Sequence, residues 1–162
     1  GKEASGTGCM KLMMNGALTI GTLDGANVEM LDAVGKENMF IFGLTSSEVE
    51  VLWLRGYRSA DYYANNERLG RILSALSVGF GGESFSDIAG YLLNGHGVAD
   101  PYMCLADFES YRMTHQSAVT QYRNRTAWTR MSLLNTAHSG FFAADRSIRE
   151  YADRIWKLKP VQ

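Results

Sequence analysis

The stretch that decides the fold is EASGTGCMKLMMNG, residues 3–16, in which a glycine-rich turn runs into a short apolar helix. Gly6 and Gly8 allow backbone N–H groups to point at a phosphate, and a helix N-terminus adds partial positive charge there. Lys11 follows on an apolar segment, where desolvation of its amine would favour the neutral, nucleophilic form that Schiff-base chemistry requires. A phosphate cradle beside such a lysine is the outline of a pyridoxal phosphate site.

Spacing excludes two commoner phosphate motifs. A Walker A loop requires G-x-x-x-x-G-K-[ST], but two residues separate Gly8 from Lys11, and Leu12 stands where a magnesium-binding Ser or Thr would be. A dinucleotide fingerprint requires G-x-G-x-x-G, and Lys11 occupies its third glycine position. Spacing alone leaves two interpretations open: a specific phosphate site, or a glycine-rich turn with a surface lysine.

A resemblance along essentially the whole chain favours the phosphate site. Residues 3–29 resemble the pyridoxal phosphate segment of the glycogen, starch and maltodextrin phosphorylases, and NMFIFG at 38–43 resembles the strand that follows it. The segments that resemble the C-terminal end of this family are AWTR (127–130), SGFFAADRSI (139–148) and YADRIW (151–156). The resemblance implies the C-terminal piece of an α-glucan phosphorylase.

The fold implied by this resemblance is α/β, the terminal portion of a Rossmann-like domain from a two-domain glycosyltransferase fold, with a largely helical C-terminal tail. Residues 1–162 would be a partial C-terminal, pyridoxal-phosphate-binding domain, with a β-α-β cofactor segment over 1–44 and a helical part over 45–162. The parent enzyme is expected to phosphorolyse α-1,4-glucan to glucose 1-phosphate, with the cofactor's 5′-phosphate relaying a proton. Its expected partners are α-1,4-glucan and inorganic phosphate, and it is expected to be a cytoplasmic homodimer.

The resemblance also implies roles for individual residues by motif position. Lys11 would be the catalytic lysine that holds pyridoxal phosphate covalently. Thr7 and Gly8 would donate hydrogen bonds to the cofactor phosphate, and Gly6 would shape the loop beside them. The residues expected to face the glucosyl unit, with Glu3 accepting from sugar hydroxyls, are Glu3, Ala4, Ser5 and Gly6. Cys9 departs from the Asn usual in the family and is interpreted as a small gap-filling side chain.

Several expectations concern what the chain lacks. In the family, the basic residues that hold the substrate phosphate and the domain that closes the cleft lie upstream. The chain opens at Gly1 inside a motif, without Met, and is interpreted as truncated. Two or three short parallel strands do not make an independent doubly wound sheet, which also indicates missing strands. The isolated chain is therefore expected to be inactive and to bind pyridoxal phosphate weakly or not at all.

Composition limits the other function classes. A formal net charge of −1 without a basic block argues against nucleic acid and against an anionic membrane surface. No long apolar run and no signal peptide is visible. Two widely separated cysteines, Cys9 and Cys104, suit a reducing cytosol better than a disulfide framework.

Other chemistry receives little support. The three histidines lack metal-ligand spacing with each other or with the cysteines, and no G-x-S-x-G nucleophile elbow occurs. The histidines are His96, His115 and His138. Two alternatives remain open: a pyridoxal phosphate enzyme of another class, such as an aminotransferase, and a non-catalytic structural or interaction module.

The local pattern predicts a β-α-β start. Buried strands are expected over 17–23 and 39–42, with a helix over 27–34 closed by Gly35 between them. Parallel pairing follows from this order. The methionines interpreted as gap-filling core are Met10, Met13, Met14 and Met30.

Beyond Gly43 the pattern becomes helical. Residues 45–48, TSSE, form a predicted capping box. The apolar side chains expected to face inward on the next helices include Leu69, Ile72, Leu73, Leu76, Phe85, Ile88, Ala89 and Leu92. Asp107 is predicted to start a longer helix. The aromatic residues of the last helices are interpreted either as core or as a face that packs on the absent part of the protein.

Overall fold

In a computed structural model of the chain, the structure describes residues 6–95 and 97–159. The described residues are mostly helical and include a two-stranded parallel sheet. In chain order the elements are α1 (Thr7–Met14), β1 (Ile20–Gly21), α2 (Ala26–Val34), a 3-10 turn (Lys36–Asn38), β2 (Phe40–Ile41), α3 (Ser46–Leu54), α4 (Ser59–Ala64), α5 (Glu67–Val78), α6 (Ser86–Leu93), α7 (Cys104–Arg123), α8 (Arg125–His138), a 3-10 turn (Ser139–Phe142), α9 (Ala144–Glu150) and a π-helical turn (Tyr151–Trp156).

These elements form two compact units that are interleaved in sequence. The helical unit contains Thr22–Asp24 and Phe42–His115. The sheet unit contains residues 6–21, Gly25–Ile41 and 116–159 among those that the structure describes. The expected division into a cofactor segment over 1–44 and a helical part over 45–162 is a different one, and it stays a prediction.

The sheet unit contains the predicted β-α-β arrangement. Ile20 pairs with Phe40 and Gly21 with Ile41 in parallel register, and α2 connects the two strands. Gly35 closes α2 with φ of 83°, a conformation that glycine adopts without steric cost. The strands are shorter than predicted, because only two residues of each strand pair with the other strand. Both strands are half-buried.

Methionine side chains dominate the core of the sheet unit. Met13 and Met30 are completely buried, and Met39 and Val34 complete the cluster. Met10 packs against this cluster, as predicted. Met14 does not: it is 57% exposed, because only one face of α1 meets the core and Met13 occupies that face. The core interpretation is therefore wrong for Met14.

The helical unit begins with the predicted capping box. The Thr45 hydroxyl accepts from the Glu48 N–H, and the Glu48 carboxylate accepts from the Thr45 N–H at 2.8 Å. Leu69 and Leu73 of α5 and Ala89 of α6 form the centre of the core, as predicted. The inner-face residues that the structure instead leaves exposed are Ile72 and Ile88, because Leu69, Leu73 and Ala89 already fill the contact between α5 and α6.

The longest helix starts earlier than predicted. Helix α7 begins at Cys104, and the carboxylate that caps it belongs to Asp100, which accepts from the Cys104 and Leu105 N–H groups at 2.8 Å each. Asp107, the predicted start, instead lies in the first turn of α7 and accepts from the Leu44 N–H at 2.8 Å. The Asp-Pro pair at 100–101 is the signal that could have identified the cap.

The aromatic residues near the end of the chain form an exposed face. Tyr151 and Trp156 lie with ring centroids 5.8 Å apart and are 47% and 55% exposed. The core interpretation is therefore wrong for these two residues. Packing of this face on another part of the protein stays a prediction.

Candidate functional site

The candidate site is built on the start of α1. Gly6 is the N-cap residue, and its carbonyl accepts from the Met10 N–H at 3.3 Å, which closes the first turn. Thr7 and Gly8 occupy the first two helical positions, at the end of α1 toward which the backbone N–H groups of an α-helix point. The helix therefore directs backbone donors and partial positive charge out of its N-terminus, as an anion site requires.

Gly8 leaves open space at this helix start. A Cβ built at Gly8 meets no atom within 4 Å, so the packing of the described residues does not require a glycine there. A glycine in a helix is also less stable than an alanine by about 0.5–1 kcal/mol. The local structure thus carries a small cost at a position where a ligand could approach the backbone closely.

Lys11 lies on the same face of α1 as this opening. It follows Gly8 by three residues and Thr7 by four, the spacing that makes helix side chains neighbours. Its side chain is exposed, as is that of the next residue, Leu12. The desolvation expected for the amine is therefore not supplied by the described residues.

Contacts with the core and with α8 fix the position of α1. Met13 sits in the methionine core, and Cys9 packs against the same cluster, which agrees with its interpretation as a gap-filling side chain. At the other end of the helix, the Ser132 hydroxyl donates to the Gly16 carbonyl at 2.7 Å. Ser132 could not be identified from the sequence, because nothing in the pattern of α8 indicates a contact with a residue more than a hundred positions away.

Some predicted site residues lie outside the described part of the chain. These residues are Glu3, Ala4 and Ser5, expected to face the sugar, and His96. The structure therefore brings together Gly6, Thr7, Gly8 and Lys11 of the predicted set.

Two buried carboxylates of the helical unit serve the fold. Asp100 is completely buried, and besides the two N–H groups of α7 it accepts from the Tyr57 hydroxyl at 2.7 Å. Burial, followed by this bond to Asp100, raises the pKa of Tyr57 far above its ordinary value. Burial also raises the pKa of Asp107, against the lowering effect of the Leu44 N–H. Both carboxylates are thus engaged by backbone donors in the same unit.

The remaining reactive side chains among the described residues do not assemble into a second centre. Within residues 6–95 and 97–159, no three His, Cys, Asp or Glu side chains lie where they could share a metal ion. Burial and the neighbouring Asp100 raise the pKa of the Cys104 thiol to about 11, which keeps it protonated at neutral pH. In the same part of the chain, no helix combines the length and apolar character needed to cross a bilayer.

Comparison with known proteins identifies the family of this chain. The family model for carbohydrate phosphorylases matches residues 1–158. Glycogen phosphorylase from Synechocystis is 47% identical over 99% of the chain, and that from Haemophilus influenzae is 46% identical over all of it. The muscle form of human glycogen phosphorylase is 44% identical over 99% of the chain.

The match covers almost all of this chain but only a small part of each relative. The chain spans about a fifth of the length of these three proteins, 19% to 20%. The family model nevertheless covers nearly every residue, including the glycine turn, Lys11 and the C-terminal helices. The chain therefore belongs to the carbohydrate phosphorylase family.

Proposed function

We propose that this chain is the cofactor-holding part of an α-glucan phosphorylase, which cleaves α-1,4-glucan with inorganic phosphate and releases glucose 1-phosphate. The observation that carries the proposal is the first turn of α1, where the open space at Gly8 and the exposed Lys11 share one face. The family match over residues 1–158 supports it.

The residues of α1 fit pyridoxal phosphate. A phosphate monoester needs several donors and a close approach to the backbone, and the start of α1 offers N–H groups at Thr7 and Gly8 with no side chain at Gly8. The aldehyde needs an amine, and Lys11 lies about one turn further along the same face. These four residues, Gly6, Thr7, Gly8 and Lys11, would hold the cofactor at its two ends.

Each residue has a definite task in the proposed reaction. Thr7 and Gly8 would bind and orient the cofactor phosphate, and Lys11 would anchor the other end covalently. When bound, pyridoxal phosphate supplies a phosphate group whose second pKa of about 6 suits proton transfer near neutral pH. Glu3, Ala4 and Ser5, which precede the described residues, are proposed to face the glucosyl unit together with Gly6.

The rest of the protein is proposed to complete the site. The two-stranded parallel sheet and α2 would be the terminal portion of a larger Rossmann-like sheet, since the β-α-β order is the repeating unit of such domains. Lys11 and the start of α1 are exposed here, so the isolated chain would expose the cofactor to water. The chain alone should therefore be inactive and bind the cofactor weakly. The full protein is proposed to be a cytoplasmic homodimer.

Borohydride reduction of the full-length protein tests this proposal. Reduction in the presence of pyridoxal phosphate should leave one stable label, and peptide mapping should place it on Lys11. The matched control is Lys36→Arg, since Lys36 is an exposed lysine of the same unit. K11R should lose the label, whereas K36R should keep it. A label on another lysine, or glucose 1-phosphate release that persists without cofactor, would contradict the proposal.

A further inference from the structure

Helix α1 ends in a defined motif that faces α8. The Ala17 N–H donates to the Leu12 carbonyl at 3.0 Å and the Gly16 N–H to the Met13 carbonyl at 2.9 Å, the pair of bonds of a Schellman motif. Gly16 has φ of 77°, as this motif requires. The helix that carries Lys11 therefore ends at a fixed place and in a fixed direction.

Ser132 of α8 holds this ending. Its hydroxyl donates to the Gly16 carbonyl at 2.7 Å. The approach is close enough that a Cβ at residue 16 would lie 2.6 Å from the Ser132 Oγ atom. The geometry therefore favours glycine at 16 twice, for its positive φ and for the contact with α8.

One turn further along α8, Asn135 makes a second contact of the same kind. Its side chain is completely buried, and Nδ2 donates to the Asn38 carbonyl at 2.9 Å and to the Met131 carbonyl at 3.0 Å. Asn38 ends the 3-10 turn that leads into β2. Ser132 and Asn135, three residues apart, thus hold the end of α1 and the entry to β2 on one face of α8.

We propose that Ser132 is a positioning residue for Lys11 and the cofactor, an inference that rests on the proposed function. Helix α1 has only eight residues, so its placement sets where Thr7, Gly8 and Lys11 lie. Met13 attaches one face to the core, and Ser132 attaches the C-terminal end. Without the hydroxyl, the Gly16 carbonyl loses its partner and the helix can tilt about Met13. A site displaced by about 1 Å loses much of its complementarity.

The test is cofactor affinity in the full-length protein. Cofactor-free wild type and Ser132→Ala are titrated with pyridoxal phosphate, and lysine-bound cofactor is followed by absorbance. The dissociation constant of S132A should rise about tenfold, the effect of losing one well-placed hydrogen bond in a partly buried site. Hydrogen exchange of α1 should accelerate in the same variant, which is a readout independent of activity.

Ser77→Ala is the matched control. Ser77 also lies on a helix and donates its hydroxyl to a backbone carbonyl, that of Leu73 at 2.9 Å, but in the helical unit. S77A should keep the wild-type dissociation constant. Ser132→Thr, which retains a hydroxyl, should restore affinity to within about threefold of wild type. Equal weakening by S132A and S77A, or a Thr variant as weak as the Ala variant, would overturn the inference.

Two further results complete the test. If S132A does not accumulate as folded protein, Ser132→Cys, a weak donor of similar size, replaces it with the same expected outcomes. A wild-type protein that is labelled on Lys11 while S132A binds cofactor normally overturns this inference alone. A wild-type protein that takes no label on Lys11 overturns the proposed function instead.

Discussion

Polar groups have opposite roles in the first turn of α1 and around Asp100 in the helical unit. Asp100 is completely buried, and each of its oxygens accepts from a donor of the same unit. The start of α1 exposes the Lys11 side chain near Gly8, where none of the described residues comes within 4 Å of an added Cβ. One region uses a buried carboxylate to complete the fold, and the other presents polar groups where a ligand is proposed to bind.

This difference separates structural polar residues from candidate ligand-binding ones. A buried carboxylate that accepts from several donors stabilises the native state, and removing it leaves those donors without a partner. An exposed lysine beside an open glycine contributes little to stability and gains a role only when something binds. Stability and ligand binding should therefore respond in opposite ways to substitution in the two regions.

The largest expected effect is on activity, at Lys11. Lys11→Ala in the full-length protein should abolish glucose 1-phosphate release by several orders of magnitude, because covalent attachment of the cofactor is lost. The same substitution should change the free energy of unfolding of this chain by less than about 0.5 kcal/mol, since the side chain is exposed. A coupled assay of glucose 1-phosphate measures the activity, and a urea titration measures the stability. A large loss of stability in K11A would break the comparison.

The next effect is on stability, at Asp100. Asp100→Ala should lower the free energy of unfolding of this chain by about 3 kcal/mol, because the Cys104 and Leu105 N–H groups and the Tyr57 hydroxyl lose their acceptor. Urea titration followed by circular dichroism measures it. Asp32→Ala, which removes an exposed carboxylate, is the control and should stay within about 0.5 kcal/mol of wild type. Equal effects of D100A and D32A would contradict the structural role of Asp100.

Substitution of Gly8 should have opposite effects on stability and on cofactor binding. Gly8→Ala should raise the free energy of unfolding by about 0.5 kcal/mol, because a Cβ there meets no atom of the described residues within 4 Å and alanine favours the helix. It should also weaken pyridoxal phosphate binding to the full-length protein about tenfold, because the Cβ enters the space proposed for the phosphate. Gly70→Ala, a helix glycine with similar open space, is the control for stability alone. Unchanged cofactor affinity in G8A would remove Gly8 from the site.

The smallest effect concerns the capping box of α3 and depends on pH. Hydrogen bonds from the Thr45 N–H and then from its hydroxyl hold the pKa of Glu48 below its ordinary value of 4.5. Since the folded-state pKa is lowered, the carboxylate stabilises the fold above pH 4.5 and loses this contribution as pH falls through the lowered pKa. The urea midpoints of wild type and Glu48→Gln should differ slightly at neutral pH and converge on acidification. Midpoints that stay equally far apart at every pH would contradict this role of the Glu48 carboxylate.

Much of the local structure could be predicted from the sequence, because it depends on neighbouring residues. The glycine turn into α1, the capping box at Thr45 and the closure of α2 by Gly35 each follow from a few adjacent side chains. Parallel pairing of β1 with β2 followed from element order. The family resemblance, which the family model confirms, added what local pattern could not supply.

The remainder depends on contacts distant in sequence. Ser132 and Asn135 reach Gly16 and Asn38 across about a hundred residues, and no periodicity on α8 indicates either bond. The misplaced start of α7 has a different cause: the Asp-Pro pair at 100–101 is a local signal that the periodicity from Asp107 outweighs, and it is the Asp100 carboxylate that meets the N–H groups of α7. The exposure of Lys11 could not be predicted either, because it depends on what packs beside α1.

The methionine core makes the sites of oxidation by peroxide depend on whether the sheet unit has opened. Peroxide converts exposed methionines to polar sulfoxides, so Met14 and Met113, at 57% and 58% exposure, should react first. Met13, Met30 and Met39 are shielded and can react only when the sheet unit opens. A sulfoxide at Met30 would therefore show that the core which α1 packs against had been transiently exposed. Because a polar sulfur cannot return to that core without cost, each such event would leave the lysine helix less firmly seated.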